Sequence, residues 1–177
     1  FADQCGIPIS VGTLFNFNQE AFALLEVFET IARDQLIAQK LLHADETGIN
    51  VKGKLLWLHT ASNDKWTLFF PHAKRGVEAM KAMGILEHFQ GTLCHDHWKP
   101  YFRFKCLHAL CNAHHLRELE RAGEHDGQQW AKKMQDLLLE MREKTEKAGG
   151  HLANDVAAEF VARYRDTLAQ GDLECPP

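Results

Sequence analysis

The sequence predicts an α/β fold: a mixed β-sheet, made of an antiparallel three-strand meander plus parallel strands, flanked by helices and followed by a helical C-terminal part. Three short apolar runs between residues 41 and 70 are separated by tight polar turns, which is typical of an antiparallel meander. A helical segment at 74–83 leads to a fourth apolar run, and such a crossover favours a strand parallel to the first. From Gln128 onward the hydrophobic period is helical throughout.

The same patterns place the individual elements. Ser10 is a candidate helix cap, and Asn18 is predicted to cap a longer helix that runs to about Gln39 with one apolar face. Pro71 is expected to end the third strand, because proline cannot donate a ladder hydrogen bond. Strands are predicted at 41–45, 55–60, 66–70, 91–94 and 108–111, and helices at 18–39, 74–83, 112–122, from 128, and at 153–168.

Two of the predicted strands lead into an aspartate. Asp45 ends the run that reads LLHADETG, and Asp96 follows the run that reads GTLCHDHW. Burying a lone carboxylate is costly, so an acid beside an apolar strand needs a partner. One such partner is a divalent cation held between two carboxylates, and a shared Mg²⁺ is typical of a phosphoryl-transfer site. The sequence therefore predicts that Asp45 and Asp96 bind metal together.

The order of elements matches the ribonuclease-H-like fold. In that fold the first and fourth strands lie side by side in the sheet, and each carries an acidic residue. Asp45 falls on the first predicted strand and Asp96 on the fourth. The pairing of these two strands follows from chain order and from the fold analogy, and it is a hypothesis that a structure can test.

Charge is unevenly distributed along the chain. Residues 51–105 carry nine basic and four acidic side chains, a net charge of +5. The flanking segments are acidic: residues 1–50 carry two basic and seven acidic side chains (−5), and residues 106–177 carry nine basic and thirteen acidic side chains (−4). A positive field around paired carboxylates suits a polyanionic substrate. No apolar stretch approaches the roughly 20 residues that a membrane helix needs, so we expect no membrane partner.

Three stretches of the chain resemble the transposases of insertion-sequence family sixty-six, which are DNA-transposing enzymes of the Asp-Asp-Glu class. The stretches are HADETG at 43–48, GTLCHDHWKPY at 91–101 and CNAHHLREL at 111–119. The opening GIPISVGTL at 6–14 is similar to the family's segment before its catalytic domain. The resemblance covers about 6–120, and the helical tail is only loosely similar.

The resemblance implies that Asp45 and Asp96 are the first two catalytic acids and metal ligands. Two Mg²⁺ (or Mn²⁺) ions are expected in the complete site, where phosphodiester hydrolysis and strand transfer take place. The family's third acid, a Glu, lies in an Asn-rich segment that does not occur here, so we expect the chain alone to be inactive. The implied division is a helical lead-in at 1–40, an incomplete ribonuclease-H-like catalytic core at 41–124 and a helical insertion or tail at 125–177.

Other residues are candidates for contacts around the site. Glu46 points away from Asp45 if the strand continues, but it becomes a fallback ligand if the strand ends at Ala44. Trp98 and Lys99 can stack on bases and hold phosphate, or Trp98 can instead close the core over the sheet. The resemblance implies that His114 contacts DNA phosphate or orients a ligand. Arg117, one turn later, can bind DNA phosphate or instead form a surface ion pair with Glu118 or Glu120. Possible outer contacts of the site are Glu46, His97 and Cys111.

Two alternatives to a transposase remain open at this stage. One keeps the fold and makes the chain a ribonuclease-H-like nuclease, which would cleave without joining strands. The other is a non-catalytic module stabilised by zinc at Cys111 and His114, although no second ligand pair stands at zinc-finger spacing. In the intact transposase we expect DNA partners (transposon ends and target), a homo-oligomer and a bacterial, cytoplasmic setting. The five unevenly spaced cysteines fit that setting as reduced thiols.

Overall fold

The computed structural model of the chain describes residues 6–175, which form two compact units. The first unit runs up to Leu110 and contains the sheet, and the second begins at Cys111 and is helical. The predicted core of residues 41–124 therefore includes one helix that folds with the C-terminal unit. That helix packs against the helix that follows it along the chain.

The first unit is built on a five-stranded mixed sheet with the order β3-β2-β1-β4-β5. Its strands are β1 (Leu41–Val51), β2 (Lys54–Ser62), β3 (Thr67–His72), β4 (Thr92–His95) and β5 (Leu107–Leu110). β1 and β2 pair antiparallel, as do β2 and β3, whereas β4 is parallel to both β1 and β5. The predicted meander and the predicted parallel strands are confirmed, and the strand order is that of the ribonuclease-H-like fold.

β1 is more than twice as long as predicted. It continues past Asp45 to Val51, because it pairs with β2 from His43↔Ser62 to Val51↔Lys54. The connection to β2 is a two-residue turn in which Lys52 and Gly53 both have positive φ, 52° and 79°. This is the requirement of a type I′ hairpin, whose twist matches that of the flanking strands.

Pro71 does not end β3, contrary to the prediction. The strand runs to His72, and Pro71 lies opposite Leu58 of β2. Because β3 is the edge strand of the sheet, a residue without an N–H group can face the open side there at no cost to the ladder.

In the described part of the first unit, residues 6–110, the α-helices are α1 (Val11–Leu24), α2 (Glu26–Ile37) and α3 (Val77–Ala82). The side chain of Ser10 caps α1 by accepting a hydrogen bond of 3.0 Å from the amide of Thr13, as predicted. The single helix predicted from Asn18 to Gln39 is wrong. Asn18 lies inside α1, and the helical path breaks at Leu25, whose amide hydrogen-bonds to both Ala21 and Phe22.

The core of the first unit lies on one face of the sheet. Alternate residues of β1 are buried there, so that Leu42 and Ala44 lie inside while Leu41 and His43 are exposed. The helices α2 and α3 and the chain after α3 cover this face. Its buried apolar residues are Leu36, Leu42, Ala44, Ala61, Leu68, Met80, Met83, Ile85, Leu86, Phe89, Leu93, Tyr101 and Phe104.

The second unit contains α4 (Asn112–Glu124), α5 (Gln129–Lys147) and α6 (Asn154–Glu174). Its core is formed around Met134, Leu137 and Phe160. Its helices follow the predicted pattern, with α6 extending six residues beyond the predicted end. Within residues 6–175, no helix is both long enough and apolar enough to cross a membrane.

Candidate active site

The parallel pairing of β1 and β4 places the strands that lead to the two predicted acids side by side. The paired positions are Leu41↔Thr92, Leu42↔Leu93 and His43↔Cys94. Continued by two residues, past the end of β4 at His95, the same register would set Asp45 opposite Asp96. Neighbouring strands lie about 4.8 Å apart, which is compatible with carboxylates that share one ion or hold two ions about 4 Å apart.

Asp45 belongs to the sheet face opposite the core, and Asp96 follows the neighbouring strand. Residues that are aligned on neighbouring strands point to the same side of a sheet. In β1, Ala44 and Glu46 are buried and Asp45 between them is exposed. In β4, Leu93 and His95 are buried, and Asp96, the first residue after the strand, is partly buried. Of the two acids, Asp45 is therefore the more accessible to a ligand in solvent.

One oxygen of each carboxylate accepts a backbone hydrogen bond. Oδ1 of Asp45 accepts from the amide of Glu46 at 2.9 Å, and Oδ1 of Asp96 accepts from the amide of Trp98 at 3.0 Å. Asp45 does not cap a turn, because Thr47 and Gly48 continue the strand. The two local hydrogen bonds orient the carboxylates.

The two carboxylates provide part of the ligand set that a hard divalent cation needs. Carboxylate oxygens are ligands that Mg²⁺ and Mn²⁺ prefer, and Mg²⁺ takes six oxygens, several of them from water. Among residues 6–175, no group of three or more His, Cys, Asp or Glu side chains is arranged to hold a metal. The pair can thus provide two ligands, and water or further groups would have to provide the others.

Glu46 does not act as the fallback ligand, since β1 continues beyond Ala44. Its side chain is only 1% exposed and points into the core face, where it pairs with Nη2 of Arg75 at 2.7 Å. Nε of Arg75 donates a second hydrogen bond to the same oxygen at 2.9 Å, and the hydroxyl of Tyr101 donates to the other oxygen. Both carboxylate oxygens are therefore engaged, as a buried charge requires.

The buried phenol of Tyr101 lies beside Glu46. Burial, foremost, raises the pKa of this phenol far above the usual value, and the charge of Glu46 and the hydrogen bond with it raise the pKa further, as do the charges of Asp96 and Asp45.

The raised pKa of Tyr101 predicts a loss of stability at alkaline pH. In the unfolded chain the phenol ionises near pH 10, whereas in the folded protein its pKa is raised. The stabilisation is therefore fully present below about pH 10, and above that pH it falls by about 1.4 kcal/mol per pH unit. We expect the free energy of unfolding, measured in urea at pH 9 and pH 11, to drop by about 1 kcal/mol more in the wild type than in Tyr101→Phe. Equal drops would contradict this assignment.

Sequence reasoning missed the burial of His95 beside the site and its contact with the partly buried His108. His95 is 1% exposed, and its ring stacks on that of Tyr101 with 4.6 Å between the ring centroids. The Nε2 atom of His95 lies 2.9 Å from Nδ1 of His108. Nδ1 of His95 donates to the carbonyl of Asp96, and burial lowers the pKa of His95. Alternate residues of β4 are buried, and this alternation was the available signal, since it places His95 inside. The alternation did not identify His108 as the partner of His95.

A comparison with known protein families assigns the chain. The model of the transposase IS66 family matches residues 1–171. The chain belongs to this family. The match extends through most of the helical tail, so the estimate that the resemblance stops near residue 120 was too short. Among curated proteins, none matches the chain.

One solved structure is similar to this member of the IS66 family. It is the cryo-electron-microscopy structure of the simian T-cell lymphotropic virus intasome in complex with the PP2A regulatory subunit B56 gamma. The two chains are 14% identical, with a TM-score of 0.35, and the alignment covers 73% of this chain. The chain spans 48% of the length of that solved chain.

Two of the predicted DNA contacts lie in the first unit. The side chain of Lys99 is exposed, whereas that of Trp98 packs against neighbouring side chains. Lys99 opens a short 3₁₀ helix, Lys99–Arg103. One face of the Trp98 ring lies 4.1 Å from the guanidinium carbon of Arg75, and the ring meets Tyr101 edge-on. These contacts favour the alternative in which Trp98 closes the core. His97, predicted to be an outer contact, is exposed.

The remaining predicted residues of this IS66 family member lie in the helical unit. Cys111 precedes α4 as its N-cap residue but makes no capping hydrogen bond with its side chain. His114 is partly buried, and its Nδ1 is enclosed without a hydrogen-bond partner. Arg117 is exposed one turn later. Within the described range, no disulfide joins Cys94, Cys106, Cys111 or Cys175.

Proposed function

We propose that this chain is part of the catalytic core of a DNA transposase, with Asp45 and Asp96 as two ligands of a divalent metal site, Mg²⁺ or Mn²⁺. The observation that supports the proposal is the parallel pairing of β1 and β4, because Asp45 lies on one of these neighbouring strands and Asp96 directly follows the other. Membership of the IS66 family supports DNA as the substrate.

The proposed chemistry is displacement at a DNA phosphate. When bound, the metal would activate the attacking oxygen and stabilise the leaving one. Asp45 and Asp96 would hold it from one side, each with one oxygen kept in place by a backbone amide. The paired strands β1 and β4 hold the backbone next to the two acids together, which limits the reorganisation that is needed when the substrate binds.

We propose that the exposed Lys99 contacts DNA phosphate, since it opens the helix that follows Asp96 by two residues. Arg117 and His114 are proposed DNA contacts on the strength of the family resemblance alone. Trp98 is a weaker candidate for base stacking, because its ring already contacts Arg75 and Tyr101.

We propose that this chain alone does not join DNA strands. Within residues 6–175, the Asp pair has no third carboxylate or other ligating side chain beside it. Hydrolysis and strand transfer belong to the intact protein, which we propose to act as a homo-oligomer on transposon ends and target DNA in the bacterial cytoplasm.

Metal binding tests the proposal directly. We expect the 177-residue chain to bind Mn²⁺ in an electron paramagnetic resonance titration, and Asp45→Asn or Asp96→Asn to weaken binding at least about tenfold, since each removes a charged ligand. Asp64→Asn, which changes an exposed acid in the β2–β3 turn, is the matched control and should bind like the wild type. Equal affinity in all four proteins would refute the proposed site.

A further inference from the structure

Backbone pairing ends before it reaches the acids. The last residue pair between β1 and β4 is His43↔Cys94, and β4 itself ends at His95. Asp96 therefore lies in the loop that follows the strand. The sheet brings this loop near Asp45, and contacts beyond the ladder must fix the exact place of Asp96.

The first of these contacts ties Asp96 to Trp98. The amide of Trp98 donates to Oδ1 of Asp96, and the 3₁₀ helix begins immediately afterwards at Lys99. A movement of the Trp98 backbone would therefore rotate or release the carboxylate of Asp96. Whatever holds Trp98 in place also holds this acid.

Arg75 contacts Trp98 and the strand that carries Asp45 at the same time. Its guanidinium carbon lies 4.1 Å from the centre of the Trp98 ring and 4.9 Å from that of Trp57 in β2. Two of its nitrogens reach Glu46, the residue next to Asp45. A planar guanidinium can stack and form paired hydrogen bonds together, which a lysine ammonium cannot do.

Tyr101 makes a second link between the same parts of the chain. Its hydroxyl donates to the other oxygen of Glu46, and its ring contacts Trp98 edge-on. Tyr101 is fully buried within the core of the sheet. The loop after Asp96 is thus attached to β1 twice, through Arg75 and through Tyr101, and both attachments end on the side chain of Glu46.

We propose that Glu46, Arg75 and Tyr101 form a positioning clamp that holds Asp96 at a fixed separation from Asp45. None of the three touches the metal or the substrate. They act through the backbone of Asp45 on one side and through the amide of Trp98 on the other. This inference rests on the proposed function, since a fixed separation matters only if the two carboxylates share a ligand.

Arg75→Lys tests the clamp because it keeps the charge and loses the stacking and the paired hydrogen bonds. Arg33→Lys is the matched control. Arg33 is a similarly half-buried arginine that pairs with Glu29 and donates to the carbonyl of Met83, in contact with neither aspartate. If the clamp acts only on stability, the two variants should behave alike in every measurement.

Two readouts separate positioning from stability. In the metal-free chain, amide exchange of Trp98 measured by NMR should speed up about tenfold in Arg75→Lys and stay unchanged in Arg33→Lys. Mn²⁺ affinity should fall about tenfold in Arg75→Lys alone, within the range that residues supporting metal ligands show. If Arg75→Lys does not fold, Tyr101→Phe serves in its place, because it removes one hydroxyl and retains the buried ring.

The outcomes distinguish the clamp from the proposed function. Unchanged Mn²⁺ affinity in Arg75→Lys and Tyr101→Phe overturns the clamp, whether or not Trp98 exchange changes. If Asp45→Asn still weakens Mn²⁺ binding in that case, the proposed function stands. If neither Asp45→Asn nor Asp96→Asn weakens binding, the proposed function fails and the positioning role fails with it. Faster Trp98 exchange together with weaker Mn²⁺ binding supports the clamp.

Discussion

Gly91→Ala is expected to destabilise the first unit by about 3 kcal/mol or more, as a severe case of overpacking against backbone. A Cβ atom at this position would lie 2.5 Å from the carbonyl oxygen of Lys40 and 2.6 Å from Cζ of Phe89. The Lys40 oxygen accepts the amide of Thr92 at 2.8 Å, and Phe89 is buried in the core. Neither neighbour can move without breaking the hydrogen bond or opening the core.

The loss should also reach the candidate site. The bond between Thr92 and Lys40 opens the pairing of β4 with β1, and that pairing brings Asp96 to Asp45. We therefore expect Gly91→Ala to lose Mn²⁺ binding along with stability, which urea unfolding and the metal titration can measure on the same sample.

Gly76→Ala is the control for this substitution. Gly76 precedes α3 with φ of −78°, and a Cβ there meets no heavy atom within 4 Å. Gly76→Ala should change the free energy of unfolding by no more than about 0.5 kcal/mol, as is usual for a surface substitution. A Gly91→Ala protein that is as stable as Gly76→Ala would show that the two strands do not approach as closely as described.

The sheet could be predicted because its signals are local. Apolar runs, the turn at Lys52 and Gly53, and a crossover through α3 define three antiparallel strands and then a parallel one. The same order indicated that the strands leading to Asp45 and Asp96 are neighbours, as they are. The catalytic role of these acids is still a prediction, because strand pairing concerns position and not chemistry.

Several features could not be predicted because their causes are distant in sequence. The pairing partner of Glu46 stands 29 residues away, at Arg75, and Tyr101 is 55 residues away. The buried phase of β1 indicates that Glu46 needs a partner, but no local pattern identifies which one. The break at Leu25 likewise has no glycine or proline to mark it. The length of β1 depends on its pairing with β2.

Gly171→Ala is expected to destabilise the helical unit by about 1–3 kcal/mol, although alanine is normally the better helix former by about 1 kcal/mol. Gly171 is buried in α6, and a Cβ there would lie 2.7 Å from Cδ2 and 3.0 Å from Cε2 of Trp130 in α5. Carbon atoms normally stay about 3.5–4.0 Å apart. The ring would have to shift.

A shift of Trp130 would disturb the end of the helix pair as a whole. Its indole N–H donates to Gln128, and the carboxylate of Glu174 accepts the amides of Gln129 and Trp130 at the start of α5. Three contacts thus depend on the close approach that Gly171 permits. Urea unfolding followed by tryptophan fluorescence should show the loss.

Gly123→Ala separates the steric effect from helix propensity. Gly123 lies near the end of α4, where the nearest atom to a new Cβ is the carbonyl oxygen of Gln128 at 4.0 Å. Gly123→Ala should raise the free energy of unfolding by up to about 1 kcal/mol, because only the intrinsic helix preference of the residue changes. If both variants gained stability, the contact between Gly171 and Trp130 would not be as tight as it is described. A loss of stability in Gly171→Ala together with a gain in Gly123→Ala would show that the packing of α6 on α5 requires a glycine.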